Sequence, residues 1–255
     1  MRTDQFELHD RIERDHWWFV ARRQILSQAI GACVPEGARV LDIGCGTGAN
    51  IAVLGSRYDC VGIDTSEAAL SYARAAYPHI RFVRASHPDQ TPDLRGDAFL
   101  LSDVLEHIDD DIGFLESWCS LLSPGGHIFI TVPASDVAWS PHDTNHGHRR
   151  RYTPERLRKV WENLDVVELT LTHFNTRLLP LVRWLRAFTA WRGSTVGEAD
   201  TDLWVPPLPL NGILQRIFAG ESPRLLRSMD RPGAPPAFRT GVSLFAALHI
   251  PKPAQ

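Results

Sequence analysis

The stretch that most limits how this chain can fold is Val40-Leu41-Asp42-Ile43-Gly44-Cys45-Gly46-Thr47-Gly48-Ala49-Asn50. An apolar run ends in three alternating glycines, and Thr47 through Leu54 then reads as the start of a helix. Strand, tight turn and helix in that order open a βαβ unit. Glycines at the turn let the backbone approach a ligand where a Cβ would collide. The helix start behind them offers free N–H groups.

A second landmark, Val61-Gly62-Ile63-Asp64, is a strand ending in a carboxylate twenty residues beyond Gly44. Units of this kind place there the acid that grips a ribose diol. Two ligands fit, a dinucleotide or an adenosyl sulfonium, and the spacing Gly44-x-Gly46-x-x-Ala49 does not separate them. Asp42 does: a negative charge beside the turn is awkward for pyrophosphate and suits a cofactor carrying an ammonium and a sulfonium.

At this point the chain resembles the class I S-adenosylmethionine-dependent methyltransferases, in the small-molecule branch similar to the enzymes of ubiquinone biosynthesis. VLDIGCGTG is close to the first motif of that superfamily and VGIDTS to its second. LLSDVLEHI matches the segment after the fourth strand, and LLSPGGHIFITVP the fifth strand. Four ordered motifs span roughly residues 38–133. The resemblance implies that Asp42, Gly44, Gly46 and Gly48 cradle the methionine part of S-adenosylmethionine. It places Asp64 and Thr65 at the ribose and Asp103-Val104 along the cofactor. Where the family usually has an acid for the adenine amino group, this chain has Ser86, with His87 and Asp89 nearby.

The expected fold class is α/β. It is a doubly wound, Rossmann-like, mostly parallel sheet of seven strands with an antiparallel last strand, an N-terminal cap helix and a helical insert before that last strand. Strands are read at 39–43, 59–63, 80–84, 97–102 and 126–132, with helices near 47–56, 66–76 and 109–121, and such alternation means a parallel sheet. The whole chain, 1–255, reads as one domain. It comprises a cap helix in 1–35, a cofactor-binding core in 36–174, an insert in 175–240 and a final strand in 241–250.

Residues 5–32 read as one amphipathic helix. Its cluster His16-Trp17-Trp18-Phe19 precedes Arg22-Arg23. Trp18 and Arg22 share a face and either close over the cofactor, stacking on it and pairing its carboxylate, or simply pack on the domain. Asp103-Val104-Leu105-Glu106-His107 stands next to the expected methyl group. His107 there is a candidate base, since an imidazole titrates near ~6.5, or it only orients Glu106.

Residues 142–152 gather His142, Asp143, His146, His148, Arg149, Arg150, Arg151 and Tyr152. We read this loop as the acceptor site. Arg149, Arg150 and Tyr152 would hold the substrate, the arginines gripping a carboxylate or phosphate, and one of His142, His146 and His148 would serve as a base. A metal set from His142, Asp143, His146 and His148 matches no familiar ligand spacing, so no metal is expected.

Pro154–Asn163 should be a helix and Leu164–Phe174 a sixth strand. The insert carries an apolar helical face in Arg177–Arg192 (Leu178, Leu181, Trp184, Leu185, Phe188, Trp191). A second helix is expected at Asn211–Ala219, and 220–238 reads as surface loop. Its Trp and Leu content suits a lid over an apolar or lipid-linked acceptor, a dimer contact or contact with a membrane surface.

A net charge of −3 over 255 residues gives no global pull toward nucleic acid. The segment after the fourth strand also lacks the motif expected of a nucleic-acid methyltransferase. Cys33, Cys45, Cys60 and Cys119 show no paired spacing. With no secretory h-region and no run of ~18 apolar residues, the cytoplasm is the expected compartment. The reading is methyl transfer to a small molecule, a hydroxyl acceptor being favoured. A catalytically silent cofactor-binding regulator and a nicotinamide oxidoreductase are the rivals.

Overall fold

The computed structural model describes residues 12–135, 137, 139, 141–192 and 204–252, apart from the side chains at 141, 142, 189, 190 and 192. Among these residues one seven-stranded sheet forms, in the order β3-β2-β1-β4-β5-β7-β6. Its strands are β1 (Arg39–Ile43), β2 (Asp59–Asp64), β3 (Arg81–Arg84), β4 (Gly96–Ser102), β5 (Leu122–Pro133), β6 (Val167–Phe174) and β7 (Ser243–His249). Strands β1 to β5 pair in parallel, and β7 runs antiparallel to both β5 and β6.

Both faces of the sheet are covered, so the central strands are apolar throughout rather than alternating. Val40, Ala98, Leu100, Phe129 and Phe245 point into one core, while Leu41, Phe99, Leu101, Ile128 and Leu244 point into the other. The first core is sealed by helix α1 (Trp17–Cys33), which buries Ile25, Leu26, Ala29 and Ile30. Helices α2 (Ala49–Ala52) and α3 (Glu67–Ala76) follow β1 and β2. Helix α4 (Asp111–Cys119) lies against the second core through Leu115 and Trp118. The acceptor loop carries α5 (Pro141–His146), and α6 (Pro154–Arg158) starts on a Thr153 side-chain cap with proline at its first turn.

The insert folds as α7 (Leu179–Arg192), α8 (Leu208–Ala219) and α9 (Ser222–Met229). Three local expectations need correction. The N-terminal helix begins at Trp17, behind a turn and capped by His16, and residues 5–11 of the expected span lie outside the described residues. Helix α2 is a single short turn. The expected loop over 220–238 contains α9, because Leu225 and Met229, four apart, bury one stripe of it in the first core.

The insert and the N-terminal helix hold each other. Trp17 N–H donates to Asn211 Oδ1 at 2.9 Å, and Asn211 Nδ2 donates to the Asp15 carbonyl at 2.7 Å. The start of α1 is therefore capped by a residue of α8.

Candidate active site

A cleft of about 920 Å³ opens at the carboxyl ends of β1, β2, β3 and β4, where open α/β sheets bind their ligands. That volume is near the upper end for ligand pockets and accommodates a nucleoside-sized molecule beside a second, smaller one.

One end of the cleft is made by backbone. Gly44 and Cys45 both donate N–H bonds to the Ile63 carbonyl, at 2.7 and 2.9 Å, tying the turn after β1 to the end of β2. Gly44 has φ 79°, and a Cβ there would stand 2.5 Å from Val104 Cγ2. Gly46 has φ 54° and open space where its Cβ would project, which leaves a cradle on the cleft side. Asp64 closes the turn. Its Oδ2 accepts from Gly46 N–H and its Oδ1 from Ser66 N–H, both at 2.8 Å.

Asp42 does not line the cleft. It is buried, 1% exposed, and neither carboxylate oxygen has a hydrogen-bond partner among the described residues. Burial pushes its pKa up to about 8; nearby Arg22 pulls it down, and Asp64 and Glu13 push it further up. Three carboxylates at this end favour a cationic ligand and oppose a pyrophosphate. Arg22, reaching in from α1, is the counterweight. Its guanidinium lies 4.3 Å over the Trp18 ring and pairs with Asp103, and its buried Nε has no partner among the described residues. Burial, then Arg23, lower its pKa to about 10. An ammonium toward the acids and a carboxylate toward Arg22 is the charge pattern of a methionine group, so these residues fit S-adenosylmethionine.

Of the other residues expected at the cofactor, Trp18, Thr65, Ser86, Asp103 and Val104 line the cleft. Asp103 has φ 57°, a left-handed conformation uncommon for a residue other than glycine. Gly48 does not line it. Its φ of 87° starts α2, and a Cβ there would meet Phe82 at 2.8 Å. Ser86 is exposed, its N–H and hydroxyl both turned to Gln90 Oε1, and Asp89 pairs with His87 outside the cleft lining.

The other end is made by side chains from distant segments. His107, His146, His148 and Arg149 all line it. The rings of His107 and His148 stand 5.0 Å apart, and those of His146 and His148 5.9 Å apart. Burial, then His148, lower the His107 pKa to about 4, so its ring is neutral at pH 7. Asp143 is fully buried and organises the loop: it accepts from His148 Nδ1 at 2.9 Å and pairs with Arg151 at 2.7 Å and Arg186 at 3.7 Å. The side chain of His142 lies outside the described residues.

Arg150 and Tyr152, expected to hold the acceptor, do not line the cleft. Tyr152 is fully buried, and its hydroxyl donates to the Leu105 carbonyl and to Asp111 Oδ2. Arg150 pairs with the same Asp111 at 3.0 Å, and Arg156 adds a contact at 2.6 Å. Burial alone would raise the Asp111 carboxyl, but hydrogen bonds from Arg156, Tyr152 and Arg150 hold it below the ordinary carboxylate range. This network fastens the loop to α4 and is structural.

Sequence reasoning passed over Glu106 as a site residue in its own right. It lines the cleft, is fully buried, and has neither oxygen hydrogen-bonded among the described residues. Burial raises its pKa to about 8. The insert supplies the apolar wall through Leu181, Val182, Leu185, Trp204, Leu210 and Leu214.

With this geometry in place, comparison with known proteins gives the class. A family model of the methyltransferase domain matches residues 15–174, and the chain belongs to that family, whose cofactor is S-adenosylmethionine. It is 33% identical over 96 residues to a trans-aconitate 2-methyltransferase of Methylobacterium radiotolerans, covering 36% of this chain and 37% of that one. It is 32% identical over 121 residues to a ubiquinone biosynthesis O-methyltransferase of Alkalilimnicola ehrlichii, covering 44% and 47%. The chain thus spans less than half the length of either relative. The solved S-adenosylmethionine-dependent methyltransferase of Archaeoglobus fulgidus shares the fold, with a TM-score of 0.52 and 16% identity over 89% of this chain and 94% of that one. No helix among the described residues is long and apolar enough to cross a membrane.

Proposed function

We propose that this chain transfers the methyl group of S-adenosylmethionine to a hydroxyl oxygen of a small, partly apolar acceptor. The observation that carries the hydroxyl reading is the pair His107 and His148, two imidazoles side by side in the cleft that Asp103 and Val104 also line. The bound cofactor supplies an electrophilic methyl on a sulfonium. Gly44 and Gly46 give the backbone cradle, Asp42, losing its proton as the cation binds, the negative field for its ammonium, Arg22 the partner for its carboxylate and Asp64 the grip on its ribose.

Catalysis is then mainly placement in a site shielded from water. The α7 and α8 side chains exclude water around the acceptor. An imidazole of the His107, His146 and His148 cluster takes the hydroxyl proton as the oxygen attacks, a contribution of roughly 10²–10⁴-fold. Arg149, exposed at the rim and paired with Asp109 at 3.0 Å, is placed to meet an acidic group of the acceptor.

The test is methyl transfer from isotopically labelled S-adenosylmethionine to a panel of hydroxylated acceptors. A labelled ether or ester product supports the reading. Unchanged turnover of a hydroxyl substrate when His107, His142, His146 and His148 are all alanine would sink the proton-transfer role.

A further inference from the structure

The methyl-transfer chemistry leaves Glu106 without a task. Its carboxyl is fully buried with both oxygens unpartnered among the described residues, so it forfeits the hydrogen bonds that water would provide. A ligand in the cleft would supply the missing partner.

What stands next to it is specific. One ligand atom each from Glu106, His107 and His148 lie within 4.8 Å of one another. We propose that these three side chains hold a divalent first-row transition-metal ion, and that the ion takes the hydroxyl oxygen of the acceptor. The ion site stands on the geometry alone; its role toward the acceptor rests on the methyl-transfer reading.

Two imidazoles and one carboxylate are a donor set suited to borderline divalent ions such as Zn²⁺, Co²⁺, Mn²⁺ or Fe²⁺. Three protein ligands facing a cleft leave further coordination positions open, the arrangement of catalytic rather than structural sites. The surroundings of the two rings point the same way. His148 Nδ1 faces the Asp143 carboxylate at 2.9 Å, and His107 Nδ1 faces the Gly147 carbonyl at 3.4 Å. Both partners can only accept, so in each neutral ring Nδ1 carries the hydrogen and Nε2 the lone pair a metal needs. A ligand histidine typically shows this backing by a carboxylate or carbonyl.

Nearby positive charge does not spoil the site. The two arginines that act on Glu106, Arg22 and Arg151, each pair with another carboxylate, Asp103 and Asp143 respectively. Asp143 itself is committed to His148, Arg151 and Arg186. The set His142, Asp143, His146 and His148 weighed from sequence is therefore replaced by one that spans the turn after β4 and the α5 loop. An ion there would clip the acceptor loop to the sheet and lower the pKa of a bound hydroxyl. With His107 and His148 as ligands, the hydroxyl proton would pass to His146, the remaining imidazole of the cluster lining the cleft.

The experiment uses the full chain, stripped of metal by chelation and titrated with Co²⁺ while visible absorption is followed. The expected result is one Co²⁺ per chain with an absorption band of nitrogen-coordinated cobalt that Zn²⁺ displaces. Glu106→Gln and His148→Ala should each weaken binding at least tenfold, and Asp143→Asn, acting through His148, by roughly 10–100-fold. Binding of S-adenosylhomocysteine by His148→Ala should stay near wild type, which shows that the variant is folded. Absence of the band in the wild-type chain, or equal affinity in all three variants, overturns the ion site whatever the activity. If the ion binds but its removal leaves turnover of a hydroxyl acceptor unchanged, the role toward the acceptor is overturned. Absence of any methyl transfer, with or without the ion, counts against the earlier reading and not against the site.

Discussion

The two ends of the cleft are built by different means. The cofactor end is mostly backbone: positive-φ glycines, N–H groups and the capping carboxylate of Asp64, all within residues 44–66, with Arg22 reaching in from α1. The acceptor end is side chain: Glu106 and His107 from the turn after β4, His148 and Asp143 from the α5 loop, Leu185 from α7 and Leu214 from α8. A backbone cradle needs small residues at fixed local spacing, so it leaves a readable motif. A side-chain pocket needs only that distant segments meet, and many residue patterns achieve that. This is why cofactor choice is shared across a family while acceptor choice varies on the same frame.

The sharpest way to break the cofactor end is Gly44→Val. It places a branched side chain where even a Cβ would stand 2.5 Å from Val104 Cγ2, at φ 79°. Positive φ alone costs about 1–3 kcal/mol for a non-glycine residue, and the clash adds to it. We expect binding of S-adenosylhomocysteine to fall by roughly 100-fold or more in a calorimetric titration. Retained affinity would show that the cradle is not the binding surface.

Next in size is Asp42→Asn, with a pH signature. Burial holds the Asp42 proton up to about pH 8, whereas the unfolded group loses it near 3.8. Stability from this group is fully present below 3.8 and is lost as pH rises toward 8, so the ligand-free chain should lose thermal stability across that window. An ammonium ligand favours the carboxylate, so affinity should rise with pH up to about 8, by as much as tenfold per unit. Asp42→Asn should lower affinity about tenfold or more and flatten both slopes. Unchanged slopes in the variant would assign them to another group.

At the acceptor end, Asp143→Asn removes the partner of Arg151, Arg186 and His148. The KM for the acceptor should rise roughly tenfold with little change in cofactor affinity, because Asp143 holds Arg151 and Arg186 at the acceptor end, whereas the cradle turn is held by Asp64. An equal effect on both ligands would mean that the two ends are mechanically one. The smallest expected effect is Tyr152→Phe, which removes one buried hydroxyl bonded to Asp111. It should cost about 1 kcal/mol, a fall in Tm of roughly 2–4 °C, with turnover unchanged. A selective loss of turnover would return Tyr152 to the active site.

The same contrast explains what could be read from the chain alone. Strand β1, the turn at Gly44 and Asp64 are legible because their causes are local: an apolar run, glycines and a carboxylate at a set distance. Glu106 was visible only as a neighbour of His107, since its burial is produced by segments far away in sequence. Arg150 and Tyr152 looked like acceptor ligands because composition says nothing of direction, and Asp111 draws both away from the cleft. Helix α9 hid in a stretch rich in Gly, Pro and Arg. Pro223 was in fact its first-turn proline, and Leu225 and Met229 its buried stripe.

The central claim is that the acidic, glycine-lined end of this cleft holds S-adenosylmethionine and not a dinucleotide. Calorimetric titration of the full chain with S-adenosylhomocysteine, and separately with NADH, tests it most directly. The account predicts micromolar binding of the first alone, weakened in Asp42→Asn. Binding of NADH, or of neither, would contradict it.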